Sequence, residues 1–268
     1  MTKIIAEIGW NHMGDMNLAK KMVESAAHNG ADIVKFQTWS EKNLKPGSWD
    51  DDGRRDIYKK AELTEENHFQ LKKISDQNDV QFLTSVFNLR DLEFIKNLGT
   101  DLIKIPSHEV YNLELVKQTS QIFHKILVST GASKWSEVKE ITKFVPPEKL
   151  ILMHCVSSYP CPAGSVNLPR LRYLRKLSDN VGYSGHFLGI EDAMAAMVWG
   201  STYVEKHFTI DQGLPGRDNQ FSILPADLKK LSSFRDNLQL MLQDRGKDLQ
   251  ESELDIFENY RGRWSGGE

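Results

Sequence analysis

The sequence predicts an α/β protein of one domain, a (β/α)8 barrel of the TIM type, on three observations. Short β-rich runs alternate with helical periodicity along the whole chain, the pattern of a parallel sheet with crossover helices. Eight strand–helix units can be counted, and eight close into a barrel where a doubly wound sheet usually has fewer strands. The length of 268 residues lies near the roughly 250 typical of one such barrel.

Taken in order, Lys3–Gly9 (KIIAEIG) reads as the first strand and is followed by a helix around Asn17–Asn29. Ile33–Trp39 (IVKFQTW) is the second strand. A polar excursion, Ser40–Glu62, follows it; lying after a strand, it belongs on the catalytic face as a solvated loop or a lid. Thr64 caps the next helix, which runs to about Asn78 with Glu66 and Asn67 in its first turn. Gln81–Phe87, Leu102–Ser107, Lys125–Gly131, Leu150–Ser157, Asn180–His186 and Tyr203–Thr209 are the further strands. Leu89–Leu98, Leu113–Gln121, Ser133–Val145, Leu168–Leu177 and Ile190–Trp199 carry the 3.6-residue period between them. A last helix near Pro225–Gln243 opens with Pro-Ala-Asp. The barrel thus occupies residues 1–245, and residues 246–268 form a polar C-terminal tail.

Composition narrows the class. Apolar residues at 40% and charged residues at 26% describe an ordinary globular chain with a full core. A formal net charge of -3 argues against a nucleic-acid partner, which calls for a strong basic excess. No stretch approaches the roughly 18 apolar residues of a membrane span, and the N-terminus has no apolar signal region. Two cysteines, Cys155 and Cys161, are too few for a disulfide scaffold. A cytoplasmic enzyme is the expectation.

In a barrel the active site gathers at the C-terminal ends of the strands, and here nearly every strand ends in polar residues. The first ends Glu7-Ile8-Gly9-Trp10-Asn11-His12. Lys35 and Gln37, two apart, share one face of the second. Thr84 and Ser85 sit on the third; Lys104 and Ser107, then Glu109, on the fourth. The fifth ends Ser129-Thr130-Gly131, and the sixth carries His154, Ser157 and Tyr159. The seventh ends Ser184-Gly185-His186, and the eighth holds Glu205, Lys206 and His207.

A lysine inside a strand is costly unless an anion or carboxylate meets it. Lys35 and Lys104 among hydroxyl donors describe an anion site; pairing of one lysine with Glu7 or Glu205 is the alternative. His186 and His207 end consecutive strands, so their imidazoles can reach one divalent ion; a structural or substrate-binding role stays open. His12 is placed to orient loop backbone or to do chemistry. His154 reads as a satisfied barrel-interior residue, and His28, His68 and His124 as surface groups. Cys155 reads as a small core residue. The loop after the eighth strand brings Asp218 and Arg217 beside His207.

These residues resemble the sialic acid synthase family, the phosphoenolpyruvate-condensing synthases of nonulosonic acids. The match runs through Ala6-Glu7-Ile8-Gly9-x-Asn11-His12-x-Gly14, Lys35-Phe36-Gln37, Lys104-Ile105-Pro106-Ser107 and Ser129-Thr130-Gly131. It continues through His154-Cys155-Val156-Ser157-Ser158-Tyr159-Pro160, Gly182-Tyr183-Ser184-Gly185-His186, Glu205-Lys206-His207-Phe208-Thr209 and Gly216-Arg217-Asp218. It covers roughly residues 3–243.

The resemblance implies an aldol-type condensation of phosphoenolpyruvate with an N-acylhexosamine aldehyde, giving a nonulosonic acid and phosphate. It implies that His186 and His207 bind a divalent ion, Mn²⁺ or Mg²⁺. Lys35 would meet the phosphoenolpyruvate carboxylate, and Lys104, Thr84, Ser107, Ser129, Ser157 and Ser184 its phosphate. Gln37, Tyr159 and Asp218, with Glu7, would face the sugar; Glu7 and then Glu109 are the candidates for moving protons. Three departures stand out. Gly185 replaces the acidic residue of the family's usual Ser-Asp-His, and Thr84-Ser85-Val86-Phe87 lacks a common proline. The family's C-terminal antifreeze-like domain has no counterpart in these residues, so a homo-oligomer or a separate sugar-recognition partner is expected. A synthase acting on another, phosphorylated sugar and a non-catalytic sugar-binding subunit remain as rival readings.

Overall fold

The computed structural model describes residues 1–48 and 50–264; the last four positions of the expected tail, 265–268, and Trp49 lie outside the described residues. Eight strands close into a barrel in chain order. They are β1 (Lys3–Glu7), β2 (Ile33–Thr38), β3 (Gln81–Val86), β4 (Leu102–Ile105), β5 (Lys125–Ser129), β6 (Leu150–Cys155), β7 (Asn180–Gly185) and β8 (Tyr203–His207). All pairings are parallel, and β1 closes on β8. Each expected strand is present. Each ends one or two residues earlier than the sequence suggests, because the polar residues after them turn into the loops of the barrel mouth.

Around the barrel lie α1 (Met16–His28), α2 (Arg54–Ala61), α3 (Glu65–Gln77), α4 (Leu92–Asn97) and α5 (Leu113–Ile122). They are followed by α6 (Trp135–Ile141), α7 (Arg170–Leu174), α8 (Glu191–Val198) and α9 (Pro225–Met241). Local chemistry sets their starts. Asp15 caps α1 by accepting from the Asn17 and Leu18 N–H groups, and Thr64 forms a reciprocal cap with Asn67 on α3. The excursion after β2 is not bare loop: it holds α2, and Glu62 ties its two ends by accepting from Ser40 Oγ at 2.9 Å and Glu41 N at 2.8 Å. Gly14, with φ of +82°, lets the β1 loop press against the Lys60 carbonyl of α2, where any Cβ would overlap that oxygen.

Two apolar layers result from the two-residue alternation of the strands. Outward-facing residues such as Ile4, Val34, Phe82, Ile103, Val128 and Val204 pack under the helices. Inward-facing Ile5, Ile33, Leu83, Leu102, Leu127, Ile151 and Met153 form a separate plug inside the cylinder. Seven such side chains burying their area at about 25 cal/mol per Å² make the interior a packed core rather than a pore. The described part of the tail after Arg245 is exposed except at half-buried Gln250. Among the described residues no helix is long and apolar enough to cross a membrane.

Candidate active site

Above the plug, the next inward position on almost every strand changes from apolar to polar. On β1 the pair is Ile5 then Glu7, on β2 Ile33 then Lys35, and on β4 Leu102 then Lys104; on β8 Tyr203 precedes Glu205. Strand register sets these polar groups side by side. Glu7 is opposite Lys35 and His207, Gln37 is opposite Ser85, Ser85 is opposite Lys104, and Ser184 is opposite Glu205.

Both lysines are paired. Lys35 Nζ lies 2.7 Å from Glu7 Oε2 and 3.8 Å from Glu205 Oε1, while Lys104 Nζ lies 2.6 Å from Glu205 Oε1. Each of the four side chains is at most 5% exposed. The carboxylate partners foreseen for one lysine thus serve both, and the hydroxyl donors complete the set. Lys35 donates to Ser85 Oγ at 3.0 Å, and Ser184 Oγ donates to Glu205 at 3.1 Å and lies 3.4 Å from Lys104 Nζ. Gln37 donates to the second Glu7 oxygen. Burial pushes the Glu7 carboxyl up against the opposing pull of Lys35, and pushes Lys104 down against Glu205. Burial would raise Glu205 too, but Lys104 and then Lys35 outweigh it and hold it low. Two ammonium groups and two carboxylates therefore share one desolvated cell with a formal charge near zero.

On the β4–β6 side the wall is made of small donors. Ser107 Oγ accepts from the Gly131 N–H at 3.1 Å. A Cβ on Gly131 would fall on Ser157 Oγ and close to Ser107 Oγ and Cys155 Sγ, so three polar side chains crowd a position only glycine can hold. Ser129 Oγ is buried without a hydrogen-bond partner. An unpaired hydroxyl inside a dry pocket costs free energy unless a ligand completes it.

His186 and His207 face each other with ring centroids 5.4 Å apart, and Tyr159, 55% exposed, covers His186 at 4.0 Å. The Val156 carbonyl, 2.9 Å from His186 Nδ1, can only accept, so Nδ1 carries a proton and Nε2 is the nitrogen left for a ligand. His207 Nδ1 is buried without a hydrogen bond, 3.3 Å from Asp218 Oδ2. Burial, then the nearby His186, holds His207 well below the usual imidazole range, so it is neutral and suited to metal ligation. Burial and the Glu7 charge push Asp218 up to about 7. Among the described residues no group of three or more His, Cys, Asp and Glu side chains gathers to hold an ion. Burial would lower His186, but the neighbouring Cys155 outweighs it and raises the imidazole. Neutral His207, with a His186 ring locked by a backbone carbonyl that joins it on giving up its second proton, fits an ion that takes its remaining ligands from water or substrate.

Several expectations change. Thr84 does not reach the pocket. It is on the outward face of β3, 2.7 Å from Thr38 Oγ1, which is 2.8 Å from His68 Nε2. His68 Nδ1 faces the Thr64 carbonyl at 2.8 Å and must donate to it, so Nε2 accepts from Thr38 and Thr38 accepts from Thr84. Ser85, one residue on, is the inward hydroxyl. His68, expected at the surface, is buried as the end of this chain. His154 is buried but also faces outward, bonding the Val166 carbonyl at 2.6 Å. His12 is a backbone organiser: its Nδ1 accepts from the Gly14 N–H at 3.0 Å. Glu109 is half-buried beyond β4 and accepts from Asn112 Nδ2 at 3.4 Å; no hydrogen bond or ion pair among the described residues joins it to Glu7 or the lysines. Cys155 is a pocket residue rather than core filling, with Sγ 3.9 Å from His186 Nδ1.

The excursion supplies one flank of the mouth. Trp10, Trp39 and Tyr58 form an aromatic cluster with centroids 5.0 to 6.3 Å apart, and Trp39 Nε1 donates to the Tyr58 carbonyl at 3.2 Å. Arg217 of the β8 loop reaches Asp52 of the excursion at 3.4 Å, joining the two loops above the pocket.

Known proteins agree with this architecture. Residues 22–247 match the NeuB family. The N,N'-diacetyllegionaminic acid synthase of Campylobacter jejuni is 35% identical over 94% of this chain and 80% of its own length. The N-acetylneuraminate-9-phosphate synthase of Drosophila melanogaster is 34% identical over 88% of this chain and 68% of its own. The crystal structure of N-acetylneuraminic acid (sialic acid) synthetase from Leptospira borgpetersenii, in complex with citrate, superposes with a TM-score of 0.87 at 30% identity. It covers 99% of this chain and 93% of that one. With the barrel, the charged cell and these matches together, the chain belongs to the NeuB family, among the nonulosonic (sialic) acid synthases.

Proposed function

We propose that the protein condenses phosphoenolpyruvate with the open-chain aldehyde of an N-acylhexosamine, forming a nonulosonic acid and releasing phosphate. The observation that carries this reading is the buried cell of Lys35 and Lys104 lined by serine hydroxyls, beside the facing imidazoles of His186 and His207. A ligand bearing both a carboxylate and a phosphate uses both ammonium groups at once.

In this reading Lys35 orients the enol carboxylate, assisted by Ser85. Lys104, Ser107, Ser129, Ser157 and Ser184 hold the phosphate. Gln37, Tyr159 and Asp218 face the sugar from the mouth. A divalent ion on His186 and His207, Mn²⁺ or Mg²⁺, would supply Lewis-acid polarisation of the aldehyde when bound. C3 of the enol phosphate forms the new bond to the aldehyde carbon, whose oxygen takes up a proton. Water adds to the C2 cation so produced and gives up a proton, and the tetrahedral intermediate expels phosphate to leave a keto group. Glu7, bonded to both Lys35 and Gln37, is placed to take the water proton; Glu109 is second, farther out along the β4 loop. The lysines and serines do not react. They hold two substrates in one desolvated geometry, and that positioning is their contribution to the rate.

Phosphate release is measured with phosphoenolpyruvate, Mn²⁺ or Mg²⁺, and a panel of N-acylhexosamines with and without a terminal phosphate. Release with an unphosphorylated acceptor, and a nonulosonic acid as co-product by mass spectrometry, is the expected result. Release only with phosphorylated sugars supports the alternative acceptor class. No release with any acceptor, despite tight sugar binding, identifies a binding subunit and ends the synthase reading.

A further inference from the structure

His186 is held by its surroundings at three points, two of them outside the pocket. Its Nδ1–H donates to the Val156 carbonyl, and its own carbonyl accepts from the Cys161 N–H at 2.8 Å. The third hold acts one residue on, where the Lys206 ammonium donates to the Phe187 carbonyl at 2.7 Å. On β8, Glu205 and His207 point inward, so Lys206 between them points out toward α8. Its counter-ion there is Asp192 at 3.0 Å, and both side chains are only 2% exposed. Tyr183, outward on β7, donates its hydroxyl to the same carboxylate at 2.8 Å, and the Ala193 N–H donates to the other oxygen at 2.8 Å.

Gly185 makes room for this arrangement. It pairs with Lys206 across β7 and β8 and shares its outward face. A Cβ built on Gly185 would overlap Asp192 Oδ2 and the Tyr183 ring. The carboxylate of α8 thus occupies the space that an acidic side chain at 185 would fill, and meets the lysine such a side chain would meet.

We propose that Asp192, acting through Lys206 and with Tyr183, is the positioning group for His186, its carboxylate supplied from α8 rather than from strand position 185. The inference rests on the reading of His186 as a pocket ligand. It also accounts for a buried ion pair that stability alone does not explain, since neutral replacements of such pairs are often as stable. What a neutral pair cannot do is reach the Phe187 carbonyl and hold the turn after His186.

Two double variants test it. Asp192→Asn with Lys206→Met removes both charges together, leaving no unpaired buried charge and taking the donor from the Phe187 carbonyl. Gly185→Asp with Asp192→Ala moves the carboxylate back to the strand. Each is followed by thermal melting, by the His186 Nδ1–H resonance in ¹⁵N-histidine-labelled protein without metal, and by phosphate release. The neutral pair is expected to stay folded, to lose the ring N–H resonance, and to lose roughly 10- to 100-fold in kcat with little change in KM for phosphoenolpyruvate. The relocated carboxylate is expected to restore the resonance and most of kcat. A neutral pair that keeps both signals, or a folded relocated variant that restores neither, overturns the proposal. Should the neutral pair fail to fold, the relocated variant alone decides. Should the wild type release no phosphate, the synthase reading falls, while the resonance still decides the positioning role.

Discussion

The Lys104 ammonium lies 2.6 Å from a Glu205 carboxylate oxygen that is also 3.8 Å from Lys35, so one buried acid answers two buried bases. Lys104→Met leaves that acid with its farther partner only. Loss of phosphate release is expected, with a destabilisation of about 3–5 kcal/mol in guanidinium unfolding. Lys104→Met combined with Glu205→Leu should recover the stability and not the activity. Equal instability in the single and double variants would show that the pair holds the fold rather than the ligand.

Neighbouring hydroxyls on β3 should separate cleanly. Thr84→Val removes the donor at the head of the Thr84–Thr38–His68 chain and should cost about 1 kcal/mol without altering steady-state kinetics. Ser85→Ala removes the hydroxyl that touches Lys35 and should raise KM for phosphoenolpyruvate with the melting temperature unchanged. The reverse pattern would put Thr84 in the pocket after all.

Stability should fall on mild acidification, in part through His12. Burial pushes this imidazole down to about 4 from its ordinary 6.5. Between those values the unfolded chain binds the proton and the folded one does not, so the stabilisation is complete above pH 6.5 and is lost as pH falls toward 4. From this one group the loss by pH 5 is about 2 kcal/mol. Guanidinium unfolding between pH 7.5 and 5 should show it, and His12→Asn should flatten the dependence. Parallel curves for the two proteins would assign the effect to other histidines.

The paired imidazoles make a simple forecast. His207→Ala should fold normally and lose condensation by on the order of a hundredfold or more. A chelator should silence the wild type, and Mn²⁺ should revive it. Undiminished turnover in the variant would remove His207 from the chemistry.

The barrel was readable because parallel strands covered on both faces appear as short apolar runs between helical periods. Facing was harder to read for the same reason: with both faces buried, Thr84 and Ser85 are equally plausible inward residues until register pairs Ser85 with Gln37 and Lys104. His68 looks like a surface residue in a polar helix; only the three-dimensional approach of α3 to β2 and β3 buries it. Lys35 and Lys104 stood out as charges inside strands, but the double use of Glu205 depends on cross-barrel distances that no local pattern encodes. Gly185 read as a missing acid; the compensating acid lies seven residues later, on a helix.

The plug of Ile5, Ile33, Leu83, Leu102, Leu127, Ile151 and Met153 closes the cylinder beneath the charged cell. Among the described residues the opening above the cell lies at the end where Tyr159 stands. On the synthase reading, a molecule seated against Lys104 would have to arrive before a companion at the level of Tyr159, and would leave after it.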